Sequence, residues 1–213
     1  MNVAIVDYGA GNLGSVFRAC ASLGASVALA RDPEALARAD ALILPGVGAF
    51  AEAIAFLEQG RWLLPLNKAV LDREVPVLGI CLGMQLMAEW GEEGGHTPGL
   101  NWLGGGIVRR LDPPPDSGAR LPHIGWNDLV RSREHPLFAG IPDGATFYFA
   151  YSYHVDGLQE DCVLCRSFHG VAFTAAVARG HILGVQFHPE KSYANGLRLL
   201  RNFLQTAGGK THA

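Results

Sequence analysis

Short apolar runs alternate with amphipathic stretches through the first half of the chain, and this rhythm restricts the fold more than any other feature. Val3 to Asp7 reads as a strand, and Asn12 to Leu23 as a helix with Val16, Ala19, Cys20 and Leu23 on one face. A second strand is predicted over Ser26 to Ala30, followed by a short helix over Pro33 to Arg38 with proline near its start. Ala41 to Leu44 reads as a buried strand that stops at Pro45. Helices near Phe50–Gln59 and Leu64–Arg73 then lead to a strand over Pro76 to Ile80 and a helix over Met84 to Glu89. Strands whose crossovers are helical must run parallel, with helices covering both faces of the sheet.

The second half changes character. Strands are predicted around Trp102–Arg110, Asn127–Arg131, Thr146–Tyr151, Val163–Phe168, Ala172–Arg179 and Ile182–Phe187, with turns between them that favour antiparallel pairing. A last helix over Tyr193 to Thr206 points Leu197, Leu200 and Leu204 inward, and residues 207–213 read as a frayed tail. Asp112 to Gly118 is a stiff surface loop, so 1–213 reads as a single domain.

With 17% charged residues, a net charge of −3 and no basic run, the chain lacks a nucleic-acid footprint. No apolar stretch reaches the ~20 residues of a membrane span. Met1-Asn2 leads straight into the first strand, which predicts a cytoplasmic protein with reduced cysteines. Cys162 and Cys165 form a C-x-x-C, but it has no second pair, so both read as small buried side chains. The histidines show no metal-ligand spacing, and no metal is expected. Gly9-Ala10-Gly11-Asn12-Leu13-Gly14 fits the G-x-G-x-x-G of a dinucleotide loop. The second strand nevertheless ends Leu29-Ala30-Arg31 without the acidic residue such a loop requires, and no cofactor is expected.

Gly79-Ile80-Cys81-Leu82-Gly83-Met84-Gln85 has the glycine–x–nucleophile–x–glycine form of a nucleophile elbow. A sharp strand-to-helix turn needs neighbours without bulk. It sets the sulfur at a helix start, where a thiolate is favoured, with the backbone N–H of Leu82 free for an oxyanion. About a hundred residues later, Gln186-Phe187-His188-Pro189-Glu190 supplies a histidine just past a strand and a carboxylate two residues on. A thiol nucleophile needs a base to move its proton, and the base needs a group that fixes its tautomer.

Pro45-Gly46-Val47-Gly48, the cysteine elbow and the His188-Pro189-Glu190 segment, in that order, resemble the class I (triad) glutamine amidotransferases over almost the whole chain. The resemblance implies a three-layer, flavodoxin-like α/β fold, with a central mostly parallel sheet, helices on both faces and an antiparallel strand-rich second half. It implies that Cys81 attacks the glutamine side-chain amide, His188 shuttles the proton and Glu190 orients His188. Gly46, Val47 and Gly48 would form the oxyanion strand and a candidate switch. Gln85 would hold the amino-acid end of glutamine, with Ser152 and Tyr153 in the same pocket. Tyr151 departs from relatives that carry histidine there.

Asp7 to Ser15, Pro45 to Phe50, His123-Ile124-Gly125-Trp126-Asn127 and His188 to Ser192 narrow the resemblance. They are similar to the family branch that serves as glutaminase subunits of imidazole glycerol phosphate synthases in histidine biosynthesis. Anthranilate and guanylate relatives read Pro-Gly-Pro-Gly where this chain has Val47. The branch implies a heterodimer with a (β/α)8-barrel cyclase that accepts the ammonia and forms imidazole glycerol phosphate and an aminoimidazole carboxamide ribotide. Asn12, Ser15, Trp126, Tyr148 and Lys191 would lie toward that partner. A different acceptor, a silent regulatory subunit and a cysteine peptidase remain the alternatives.

Overall fold

The computed structural model describes residues 1–209. In chain order its elements are β1 (Asn2–Val6), α1 (Leu13–Ser22), β2 (Ser26–Ala30), a 3-10 turn (Pro33–Arg38), β3 (Ala41–Gly46), α2 (Phe50–Gln59), α3 (Leu63–Asn67), β4 (Val77–Cys81) and α4 (Leu82–Gln85). There follow β5 (Trp90–Gly91), β6 (Thr97–Pro98), β7 (Ile107–Arg110), β8 (His123–Asp128), β9 (Val130–Arg131), β10 (Thr146–Tyr151) and β11 (Tyr153–Asp156). The chain closes with β12 (Val163–Phe168), β13 (Ala172–Arg179), β14 (Ile182–Val185), a 3-10 turn (Pro189–Lys191) and α5 (Tyr193–Gly209).

An eight-stranded sheet in the order β2-β1-β3-β4-β14-β13-β12-β9 forms the centre. From β2 to β14 the neighbours are parallel, in the flavodoxin-like order, and from β14 to β9 they are antiparallel. Strand residues point to opposite faces in alternation. Ala41 and Ile43 of β3 therefore pack with Val16 and Cys20 of α1 and with Leu199, Leu200 and Phe203 of α5. Leu42 and Leu44 pack on the other face with Phe50, Ile54 and Leu57 of α2 and Leu66 of α3. Each such side chain, fully buried, contributes ~1.5–3 kcal/mol. The expected three layers are therefore present. No helix among the described residues is long and apolar enough to cross a membrane.

Several local expectations differ. The helix expected over Leu64–Arg73 is α only to Asn67 and continues as a π turn over Lys68–Asp72. Of the strand expected over Trp102–Arg110, only Ile107–Arg110 is extended, because the glycine run 104–106 takes positive φ at each residue. The strand expected over Asn127–Arg131 is broken at buried Leu129, so β8 pairs with β10 while β9 joins the central sheet. Leu197 lies exposed, because the buried stripe of α5 runs through Leu199, Leu200, Phe203, Leu204 and Ala207. The helix takes in Ala207–Gly209, and the rest of the expected frayed tail lies outside the described residues. Cys162 and Cys165 are both buried and free.

An aromatic cluster ties the β8–β10 ribbon to the sheet. The Phe147 and Phe187 ring centroids are 4.2 Å apart, and Phe149 meets Phe173 edge-on at 5.5 Å. This packing carries Ala150, Tyr151 and Ser152 over the carboxyl edge of the sheet, where the candidate site lies.

Candidate active site

Three adjacent strands end at the same edge. Gly46 pairs with Cys81 across β3 and β4, and Val185 pairs with Ile80 across β14 and β4. Neighbouring strands lie ~4.7–4.9 Å apart, so this register brings the Gly46–Gly48 segment, Cys81 and the Gln186–Glu190 segment together from distant parts of the sequence.

Cys81 stands between β4 and α4 with φ 54° and ψ −112°, a conformation that side chains rarely adopt. Strain of this kind costs ~1–3 kcal/mol and persists only where the surroundings enforce it. The glycines enforce it here. A Cβ on Gly83 would lie 1.7 Å from the Leu44 carbonyl oxygen, and one on Gly79 would lie 2.8 Å from the Gly83 carbonyl. The elbow is thus backbone packed on backbone. The helix expected to follow over Met84–Glu89 is a single turn, Leu82–Gln85. The carbonyls of Leu86, Met87 and Ala88 accept instead from the N–H groups of Leu100, Leu103 and Asn101. So short a helix adds little dipole at the sulfur, although the N–H of Leu82 still opens it without an intrahelical acceptor.

His188 Nδ1 lies 2.9 Å from Glu190 Oε1, and the histidine also hydrogen-bonds the Cys81 thiol. Burial lowers the pKa of this imidazole, but the bonds to Cys81 and Glu190 prevail and raise it from 6.5 to about 9. A cation is therefore held beside the sulfur at neutral pH. Glu190 Oε2 is buried and has no hydrogen-bond partner among the described residues. Cys81, His188 and Glu190 thus form one contiguous group, as a nucleophile, base and orienting carboxylate require.

Cys81 opens into a cavity of about 220 Å3 lined by Val47, Gly48, Leu82, Gln85, Glu93 and the 150–153 segment. That is below the ~300–1,000 Å3 of pockets for drug-sized ligands and suits one small molecule. Val47, Gly48, Leu82, Gln85, Ser152 and Tyr153 are therefore brought together around it. Gly46 sits beneath the cavity, where a Cβ would come within 2.7 Å of the Tyr8 hydroxyl. Gln85 is buried, and its Nε2 donates to the Tyr153 carbonyl at 2.5 Å and to Gln186 Oε1 at 3.0 Å. Three features of the site were missed as candidates. Glu93 lines the cavity and accepts from the Phe50 N–H at 2.7 Å, which no local spacing signals. Gln186 stands within a motif whose histidine and glutamate draw attention first. Tyr8 and Tyr151 carry buried hydroxyls without partners among the described residues, and burial followed by the charge of Cys81 pushes both phenols up.

Of the five residues expected toward a partner, Ser15, Trp126, Tyr148 and Lys191 are linked by contacts on the Glu190 side of the triad. Ser15 and Lys191 line a second cavity of about 350 Å3 with Arg18, Glu190, Tyr193 and Leu197. Lys191 Nζ lies 5.5 Å from the Tyr148 ring centroid. Trp126, 46% exposed, meets Tyr148 edge-on at 6.0 Å and stacks on Tyr193 at 5.1 Å. Asn12 is exposed just before α1 and makes no side-chain cap, so capping does not explain it. Among the described residues, no group of three or more His, Cys, Asp or Glu is placed to hold a metal.

The family model described as glutamine amidotransferase class-I matches residues 4–207. The imidazole glycerol phosphate synthase subunit HisH of Caulobacter vibrioides is 47% identical over 95% of this chain and 97% of its own length. The subunit of the same description from Moorella thermoacetica is 45% identical over 99% of both chains. Among solved structures, a glutamine amidotransferase from Thermotoga maritima aligns with a TM-score of 0.63 at 20% identity, covering 100% of this chain and 86% of that one. The structure of PurLQS from the same organism aligns with a TM-score of 0.72 at 16% identity over 96% and 98%. At these identities the structural likeness speaks for the fold alone.

Proposed function

Because this chain belongs to the class I glutamine amidotransferases, we propose that it hydrolyses glutamine to glutamate and ammonia as the glutaminase subunit of an imidazole glycerol phosphate synthase. In this reading residues 1–213 act as one amidotransferase domain, and the ammonia passes to a cyclase subunit in histidine biosynthesis. The observation that carries it is the strained Cys81 at the mouth of a small cavity, backed by a buried His188–Glu190 pair.

The Cys81 sulfur attacks the side-chain amide carbon of glutamine, and the carbonyl electrons move onto oxygen. The N–H of Leu82 and those of the Gly46–Val47–Gly48 segment stabilise that oxyanion; losing one such donor costs ~100- to 1,000-fold in rate. His188, protonated at neutral pH, gives its proton to the leaving nitrogen, and ammonia departs from a thioester. His188 then takes a proton from water, whose oxygen attacks the thioester; glutamate leaves and the thiol is restored. Glu190 keeps His188 in the tautomer that faces the sulfur. Gln85, Ser152, Tyr153 and Glu93 hold the amino-acid end of the substrate, with the Glu93 carboxylate suited to its ammonium.

The partner in this reading is a (β/α)8-barrel cyclase, bound as a heterodimer through Asn12, Ser15, Trp126, Tyr148 and Lys191. The cavity that Ser15 and Lys191 share with Glu190 supports it, because a partner seated there would stand next to the triad. The test measures glutamate release by the chain alone and then with the cyclase subunit and its nucleotide ligand. Strong stimulation only in the complete mixture is the expected result. Equal rates throughout would refute the cyclase assignment. Cys81→Ala should abolish synthesis from glutamine and leave synthesis from ammonium salts intact; loss of both would make Cys81 structural.

A further inference from the structure

Gln186 follows β14 directly, two residues before His188, and its side chain is wholly buried. Its Nε2 lies 3.6 Å from the Cys81 sulfur, and its Oε1 accepts from Gln85 Nε2 at 3.0 Å. The orientation of both amides follows from one fixed point. The Tyr153 carbonyl can only accept, so the group of Gln85 facing it at 2.5 Å must be the NH2. The second hydrogen of that NH2 faces Gln186, which must answer with its oxygen and turn its own N–H toward the sulfur. Reversing either amide would set two donors or two acceptors against each other.

We infer that Gln186 is a further catalytic residue, donating to the Cys81 sulfur and favouring its thiolate, and that Gln85 is the positioning residue that aims it. The inference rests on the reading of Cys81 as the nucleophile. A buried anion is costly unless it is paired and hydrogen-bonded, and hydrogen bonds to charged groups are stronger than neutral ones. The groups facing the sulfur bear this out. His188 offers the cation, with Glu190 behind it. Tyr8, beyond β1, and Tyr151, at the end of β10, are phenols that burial keeps neutral, and neither hydroxyl donates to the sulfur or to any other partner among the described residues. Glu93 lines the same cavity and brings only negative charge. The Ala150 carbonyl, 3.9 Å from the sulfur, can accept from the neutral thiol but offers an anion nothing. Gln186 and His188 are therefore the side chains that reward loss of the proton. Gln85 also lines the substrate cavity, so the group that aims Gln186 is one that substrate contacts.

The test is the rate of iodoacetamide alkylation of Cys81 in the full chain against pH, read on the Cys81 peptide by mass spectrometry. The other cysteines stay silent, because burial pushes the Cys20 and Cys165 thiols up to about 12 and raises that of Cys162. Gln186→Met keeps the length and removes the N–H. It should move the alkylation midpoint upward by about one pH unit, a roughly tenfold loss of rate below the midpoint. The limiting rate at high pH should not change, which separates this role from a merely structural one. Gln85→Met should move the midpoint in the same direction by less. A Gln186→Met midpoint equal to that of the unmodified chain overturns the assignment. If that variant does not fold, an unmoved Gln85→Met midpoint overturns it instead. An unmodified chain that titrates like a free thiol, at ~8.5, and releases no glutamate with its partner would sink the nucleophile itself.

Discussion

Replacing Gly83 with alanine should damage this protein more than any other single methyl group at the site. The added Cβ would lie 1.7 Å from the Leu44 oxygen and 2.8 Å from the Leu44 carbon. Leu44 is fully buried in β3, between β1 and β4 in the sheet, so its carbonyl has nowhere to go. Relief requires two backbones to part by more than an ångström. Overpacking usually costs ~1–3 kcal/mol when side chains can yield, and with main chain on both sides we expect about 4 kcal/mol. For a domain of this size that lowers the melting temperature by roughly 8–16 °C. Two companions calibrate the expectation. A Cβ on Gly184 would meet side chains and not main chain, Met84 Cγ at 2.7 Å and Val177 Cγ2 at 3.0 Å, which predicts a smaller loss of ~1–3 kcal/mol. Gly48 has open space around it but φ +106°, so Gly48→Ala should cost ~1–2 kcal/mol of backbone strain and depress glutamine turnover more than melting. Thermal unfolding by circular dichroism, with glutamate release alongside, ranks the three. A Gly83→Ala protein that melts within 2 °C of the unmodified chain, or above Gly184→Ala, would refute the account of a backbone-packed elbow.

Glu190→Gln keeps the shape but removes the charge behind His188, and glutamate release should fall by ~100-fold. His188 is held above its unfolded value of 6.5, at about 9. Its contribution to stability is therefore complete below about 6.5 and lost as pH rises through about 9. Without Glu190 only Cys81 opposes burial, so the imidazole pKa should fall and the alkaline limb of the rate profile should move toward neutral pH. An unmoved limb would deny Glu190 this role. Trp126→Ala removes the exposed ring stacked on Tyr193 and should weaken cyclase binding by ~30-fold, about 2 kcal/mol, in a calorimetric titration. Unchanged affinity would place the interface elsewhere. Asn202 lies buried in α5, and its Nδ2 donates to the carbonyls of Leu137 and Ala139 at 3.0 and 2.9 Å. Asn202→Ala strands both acceptors and should cost ~2–4 kcal/mol in urea denaturation.

The sequence revealed most where local chemistry and periodicity coincide. The strands before Pro45 and Cys81 are apolar throughout because both their faces are covered, and the elbow declares itself by small residues around a nucleophile. It revealed less where long-range contacts decide. The length of α4 could not be read from 84–89, since the residues that end it lie at 100–103 and take its carbonyls. Trp102–Gly106 is apolar enough for a strand, yet its glycines turn. Leu197 fits a helical stripe one position away from the buried one. Glu93 and Gln186 reach the site only through tertiary placement. Gln186 alone left a trace, two residues ahead of the histidine.

The order of strands in the central sheet has a consequence for a protein still being made. Cys81 belongs to the first four strands, but the strand that delivers Gln186 and His188 arrives last and pairs directly with β4. A chain interrupted anywhere before residue 182 carries a thiol with neither its base nor its amide donor. Ribosome-bound and truncated products that stop short of this strand should thus leave the glutamine pool untouched, and hydrolytic competence should begin only once translation has passed Glu190.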